Sequence, residues 1–288
     1  MAAERQYRLR VGEVVIALNC PDPQYATSLA EYFAQPCDPA PPVVELDLNI
    51  VLHDTEPAVP NSLILTKTLT DDGGFDIADG LIRGRFDPAT GKGELHVMNA
   101  LTSGLLTRVF EQILYQAWHS GRRRLGYDAC LVHSSGVIRS GRGYLFVGAS
   151  EAGKTTVANL SQDYTVTNDE MNLVEFHADG ARLRSTPFNG HYRDKQAGAA
   201  PLAAVLLLEQ GPAHRLESVG CGLAAGAVAG QIAPPVGLEE VADTETRLAM
   251  LDLGSRLVEW VPVRRLIFLP DRGFWPILKR SFTTELRG

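Results

Sequence analysis

The hydrophobic pattern of the chain changes character between residues 100 and 125. Before that point, short runs alternate apolar and polar positions. YRLRVGEVVIALNC (7–20) alternates and then turns apolar, as a half-buried strand does, and VVELDLNIVLHD (43–54) alternates along its length. LIRGRFDPATGKGELHVMN (81–99) reads as a hairpin, two alternating runs around a turn built from Pro88 and Gly91. ATSLAEYFAQP (26–36) places Leu29, Tyr32 and Phe33 at helical spacing behind Thr27, which predicts a short helix ended by Pro36. The longest helical stripe is Leu105, Leu106, Val109, Ile113, Leu114 and Trp118, within a helix over 101–123 that Gly121 is expected to end. Beyond residue 125, buried strands alternate with helices, the pattern of an α/β layer. Two parts are therefore expected. Residues 1–120 form a β-rich α+β portion whose antiparallel sheet packs on the rest, and residues 121–288 form an α/β core.

Composition narrows the classes of partner. The chain has 288 residues, 45% of them hydrophobic and 21% charged, which is ordinary for a globular protein. Its net charge of −7 argues against nucleic acid and membrane surfaces, which attract a basic face. The one basic run, GRRRL (121–125), reads as a solvated helix end or loop. Cys20, Cys37, Cys130 and Cys221 lie far apart, so zinc spacing is missing. MAAERQYRLR lacks the apolar core of a secretory leader, and a reducing, cytoplasmic compartment is expected. VGCGLAAGAVAGQIAPPVGL (219–238) contains Pro-Pro and little Leu, Ile or Phe. It reads as a small-residue core helix or a loop, not a membrane span.

The strongest chemical signal is GYLFVGASEAGKTTVANL (143–160). It holds G-x-x-x-x-G-K-[ST] between a buried strand at Tyr144–Val147 and a helical pattern from Thr155 to Leu160. In that setting the loop amides turn inward onto phosphate oxygens, and glycines let the main chain come close. The candidate phosphate cradle is Gly148, Ala149, Ser150, Glu151, Ala152, Gly153, Lys154, Thr155 and Thr156. Lys154 reaches the β- and γ-phosphates, and the Thr155 hydroxyl is a ligand for Mg²⁺. Glu151 is an unusual carboxylate for such a loop and is expected to face solvent.

Such a site needs an acid near the metal. Two segments offer one. YTVTNDEMNLVEF (164–176) brings Asp169 and Glu170 directly after the loop helix, as a βαβ unit would, and AAVLLLEQG (203–211) ends an apolar strand on Glu209. His133 closes a short apolar run upstream, while His96, His119, His177, His191 and His214 carry no readable motif.

LVHSSG (131–136), the loop (148–155), NDE (168–170), STPFNGHY (185–192), PLAAVLLLEQG (201–211) and LVEWVPVRRLIF (257–268) occur in a fixed order. That order resembles the HPr kinase/phosphorylase superfamily, in particular its divergent HPr-kinase-like members found near peptide-modification clusters. The resemblance covers roughly residues 125–270. It implies the P-loop core shared with ATP-dependent phosphoenolpyruvate carboxykinase. It also implies transfer of the γ-phosphoryl group of ATP, with Mg²⁺, to a serine hydroxyl of a small protein or peptide. By the same resemblance His133 matches the histidine beside the loop, Asp169 matches the acid that holds Mg²⁺, and a homo-oligomer is an open expectation. One departure matters. Where the bifunctional enzymes carry two aspartates, the first being the base, this chain has Asn168-Asp169. An amide takes no proton at neutral pH. Either Glu170 or His133 supplies the base, or transfer depends on positioning and charge alone, or catalysis is lost. The signature for phosphorolysis is missing, so the reverse reaction is not expected.

Arg193 and Lys195 are the candidate cations for the moving phosphoryl group, and Gly190 is a candidate for close approach to substrate or for a plain turn. Three readings follow: an ATP- and Mg²⁺-dependent serine kinase, a nucleotide-binding adaptor with little catalysis, and a small-molecule kinase.

Overall fold

The computed structural model describes residues 6–19, 31–33, 39–52, 66–69, 75–78, 82–87, 89–97, 103–234 and 244–283. Their contacts group into two units, one reaching Tyr127 and the other beginning at Asp128. The first unit contains strands β1 (Gln6–Val11), β2 (Val14–Asn19), β3 (Val44–Leu52), β4 (Thr66–Leu69), β5 (Phe75–Ala78), β6 (Ile82–Asp87) and β7 (Lys92–Val97), then helix α1 (Ser103–Leu125). The strands form one sheet in the order β1-β2-β3-β7-β6-β5-β4.

Three sequence expectations are corrected here. The run 7–20 is a hairpin, not one strand. Gly12 takes φ +62° at the first corner of a two-residue turn, and Val11 faces Val14 across it. The sheet is mixed, because β3 runs parallel to both β2 and β7. Residues 20–43, between β2 and β3, exceed the dozen or so that a parallel crossover requires. Finally, α1 does not end at Gly121. A Cβ there would lie 2.5 Å from Val14 Cγ1 and 2.9 Å from Val44 Cγ2, so that glycine lets the helix lie close on β2 and β3. The stop is Gly126 at φ +62°, whose N–H bonds Arg123 O while the Tyr127 N–H bonds Arg122 O. Arg122, Arg123 and Arg124 occupy the last turn, where cations complement the helix dipole. Residues 31–33 of the expected helix at 26–36 are helical, and the rest of that stretch lies outside the described residues.

The second unit holds β8 (Ala129–Arg139), β9 (Arg142–Val147), α2 (Lys154–Leu160), β10 (Thr165–Asn168), β11 (Met171–His177), β12 (Gly180–Arg184), β13 (Ala199–Gln210), β14 (Arg215–Ser218), α3 (Cys221–Ala229), α4 (Thr244–Trp260), β15 (Val263–Phe268) and α5 (Phe274–Thr283). The pairings β8–β11–β12–β13–β9 return to β8 and close a ring. β13 carries β15 in parallel, and β14 lies antiparallel beyond it. β10 joins β8 antiparallel, not β9 in a βαβ unit as the sequence suggested. Both edges of β9 are already taken, by β8 and by β13.

β9 is therefore buried on both faces, which explains its unbroken apolar run. Leu145 and Val147 enter one core with Cys130, Val174, Leu183, Val228 and Leu257. Tyr144 and Phe146 enter the opposite core with Val157, Val166, Phe268, Phe274 and Trp275. In that second core Trp275 meets Tyr144, Phe146 and Tyr164 edge to face, at 5.1 to 5.8 Å between ring centres. The small-residue stretch from 219 contributes α3, which buries Ala224, Ala225, Val228 and Ala229. No described helix is long and apolar enough to cross a membrane.

Replacing Gly121 with valine should destabilise the first unit by about 1–3 kcal/mol through overpacking against Val14 and Val44. Urea unfolding of the Gly121→Val protein checks this, and an unmoved midpoint contradicts the packing role.

Candidate functional site

Residues 148–153 connect β9 to α2. Lys154, at the first helical position, is buried and folds back over the loop. Its Nζ donates to the carbonyls of Gly148 (2.9 Å) and Ala149 (3.1 Å). The chain thus curls around its own ammonium. Burial lowers the Lys154 pKa below the ordinary lysine value, against the pull of the Glu170 and Asp169 carboxylates. Glu151 is exposed at φ +65°, and its carbonyl accepts a bond from Gln210 Nε2 at 2.8 Å. Ala149 and Ser150 are exposed, while Ala152, Gly153, Thr155 and Thr156 are half-buried.

Asp169 follows the last residue of β10 and is 2% exposed. Its Oδ2 accepts from the Thr155 hydroxyl at 2.8 Å and from the Tyr192 N–H at 3.1 Å. Among the described residues its buried Oδ1 has no hydrogen-bond partner. Gly190 is the neighbour that makes this possible, since a Cβ there would sit 2.1 Å from Oδ1. The sequence suggested close approach to substrate or a plain turn at Gly190, whereas the group lying against it is this carboxylate. The other candidate acid, Glu209, is exposed and lies 3.5 Å from Arg265.

Residues 185–198 form a strap held down at several points. Asn168, 1% exposed, uses both ends of its amide. Nδ2 donates to Phe188 O (2.6 Å) and Thr186 Oγ1 (3.2 Å), and Oδ1 accepts the N–H groups of Glu170 (2.8 Å) and Met171 (3.3 Å). The Thr186 hydroxyl in turn donates to Met171 O. Lys195 Nζ donates to the carbonyls of Pro187 (2.6 Å) and Phe188 (2.7 Å), so its ammonium pins the strap. Arg193 is exposed.

The β8–β11 pairing brings Met171 opposite His133, and Ser134 N donates to Glu170 O. His133 Nε2 lies 3.5 Å from Glu170 Oε2, with the two side chains 34% and 39% exposed. Burial pushes the Glu170 carboxyl upward. The hydrogen bond and charge of His133, with the charges of Lys154 and His191, outweigh that and hold it below its ordinary value. His191 enters the site through this coupling and through its place between Gly190 and Tyr192. Its sequence carried no metal or catalytic spacing, so only the folding of the strap reveals it.

Among the described residues no three His, Cys, Asp or Glu side chains gather as metal ligands. Thr155 and Asp169 offer two oxygens, one acceptor of which is buried and unsatisfied. That partial set fits Mg²⁺, which keeps waters and takes phosphate oxygens beside one or two carboxylates.

No protein-family model matches the chain. No curated protein matches it in sequence. Among solved structures, the HPr(Ser) kinase/phosphatase from Coxiella burnetii is similar over 55% of this chain and 90% of its own, with 11% identity and a TM-score of 0.29. A likeness of that size fixes neither fold nor chemistry.

Exchanging Asn168 for aspartate should cost about 3 kcal/mol or more, because a buried carboxylate oxygen would face Phe188 O and Thr186 Oγ1 where a donor now sits. Chemical denaturation of Asn168→Asp reads the loss, and undiminished stability contradicts the clasp.

Proposed function

We propose that the chain is an ATP- and Mg²⁺-dependent kinase that phosphorylates a serine hydroxyl on a small protein or peptide. The observation that carries this reading is the joint placement of Lys154, Thr155 and Asp169. A curled loop wraps a buried lysine, and its helix-bound hydroxyl meets a buried acid with one oxygen to spare. A P-loop core of the HPr kinase type, with residues 148–156 as its nucleotide cradle, accounts for that arrangement.

In this reading the amides of residues 148–153 and the ammonium of Lys154 hold the triphosphate. Lys154 gives up its contacts with Gly148 O and Ala149 O for phosphate oxygens. Thr155 and Asp169 would hold Mg²⁺, which would supply charge neutralisation on the phosphates when bound. The serine oxygen bonds to the γ-phosphorus as the bond from phosphorus to the β–γ bridging oxygen breaks, and the nucleoside diphosphate leaves. Glu170, ionised beside His133, orients the hydroxyl and receives its proton. A carboxylate of low pKa suffices, since a loose transition state asks little of the base. Asn168 takes no part in proton transfer because both ends of its amide are bonded within the protein. The partial exposure of Glu170 and His133 suits an acceptor carried on a larger molecule. A cytoplasmic setting belongs to this reading, and the acidic net charge disfavours docking on nucleic acid.

The adaptor reading keeps the nucleotide but not the transfer, and it draws on Asn168 standing where an acid was expected. A γ-labelled ATP assay with serine-bearing peptides separates the two. The kinase predicts label on peptide, falling about 10²–10³-fold in Lys154→Ala. Bound nucleotide without labelled peptide supports the adaptor, and full transfer by Lys154→Ala refutes the lysine's role.

A further inference from the structure

A cavity of about 450 Å³ opens beside the loop, on walls formed by Gly153, Thr156, Gln210, Gly211, Phe268 and Pro270. That volume lies within the roughly 300–1,000 Å³ of small-molecule sites. The wall residues come in pairs from one structural position. Gly153 and Thr156 come from the loop and helix after β9, Gln210 and Gly211 from the end of β13 and just past it, and Phe268 and Pro270 from the end of β15 and just past it. These three strands run parallel, with Val147 opposite Leu207 and Gln210 opposite Phe268. The cavity therefore sits outside the carboxyl ends of the parallel strands, where α/β sheets receive ligands.

Its chemistry is divided. Phe268 and Pro270 supply apolar surface, and the Phe268 ring lies close beneath Gly153, where a Cβ would be 2.7 Å from Cζ. Thr156 and Gln210 supply polar groups, and the orientation of Gln210 is set. Nε2 donates to Glu151 O at 2.8 Å, which a carbonyl partner demands, so Oε1 is the end left to accept. The same bond ties the cavity wall to the phosphate loop. An acceptor at that place matches the N6 amino group of adenine and opposes the O6 acceptor of guanine.

We propose that this cavity seats the base and ribose of a nucleoside triphosphate whose phosphates lie on residues 148–155, with Gln210 selecting a 6-amino over a 6-oxo purine. The proposal rests on the nucleotide reading above and sets the direction of the ligand. The base lies by β13 and β15, and the terminal phosphate lies toward Asp169 and Glu170.

Calorimetric titration of the full chain with ATP, GTP and inorganic tripolyphosphate, all with Mg²⁺, tests it. ATP should bind about tenfold more tightly than either competitor, the size of one well-placed hydrogen bond with its packing. In Gln210→Leu the ATP-to-GTP ratio should fall to about one; because the variant also loses the bond to Glu151 O, that ratio and not either affinity alone is the readout. Tripolyphosphate binding as tightly as ATP overturns the cavity assignment and leaves the phosphate site standing. A Gln210→Leu protein that keeps the ATP-to-GTP ratio overturns the selection by Gln210. No binding of any of the three removes the proposal together with the nucleotide reading beneath it.

Discussion

A carboxylate sealed from water must be met by hydrogen bonds or a cation, or it costs the fold several kcal/mol. Asp169 is that carboxylate, and much of the second unit is arranged around it. Oδ2 takes one donor from α2, the Thr155 hydroxyl, and one from the strap, the Tyr192 N–H. One side chain therefore links α2 behind the loop, the end of β10 and residues 185–198. The second oxygen is unmet among the described residues, and Gly190 lies against it without a side chain. In the proposed kinase reading, that unmet acceptor beside a hydroxyl is where a divalent cation would sit.

Around that acid the scaffold is stiff. β9 has a hydrophobic core on each face and a partner strand on each edge, so the point at which the loop leaves the sheet is fixed. The strap is secured by Asn168 and Lys195 through backbone carbonyls, contacts that do not depend on which side chains the strap carries. The loop therefore has a distinct set of groups on each flank. Glu170 and His133 lie on one side of the loop, and the cavity by Phe268 and Pro270 lies on the other.

What could be read from the sequence was what is local. The strand, glycine loop and helix over 142–160 follow one another without interruption, and the hairpin over 82–97 announces its turn with Pro88 and Gly91. What could not be read was which distant segments meet. Gly121 looks like a helix stop until Val14 and Val44 are seen against it. Parallel pairing of β3 with β2 and β7 has no local mark, and neither does the pairing of β10 with β8. Lys195 reads as a loop cation, yet it faces two carbonyls of its own strap. His191 has no spacing to signal it, because its partner Glu170 arrives only through the fold. Asn168 looked like a lost base, whereas its amide donates to Phe188 O where a carboxylate could not.

The claim at the centre is that Asp169 and Thr155 together receive a cation with the phosphates. Titrating ATP into the native chain and into Asp169→Asn, each with Mg²⁺ and with the metal chelated, tests that most directly. The account predicts that Mg²⁺ tightens ATP binding to the native chain and that this gain disappears in Asp169→Asn. An equal gain in both proteins, or ATP affinity indifferent to Mg²⁺ in the native chain, contradicts it.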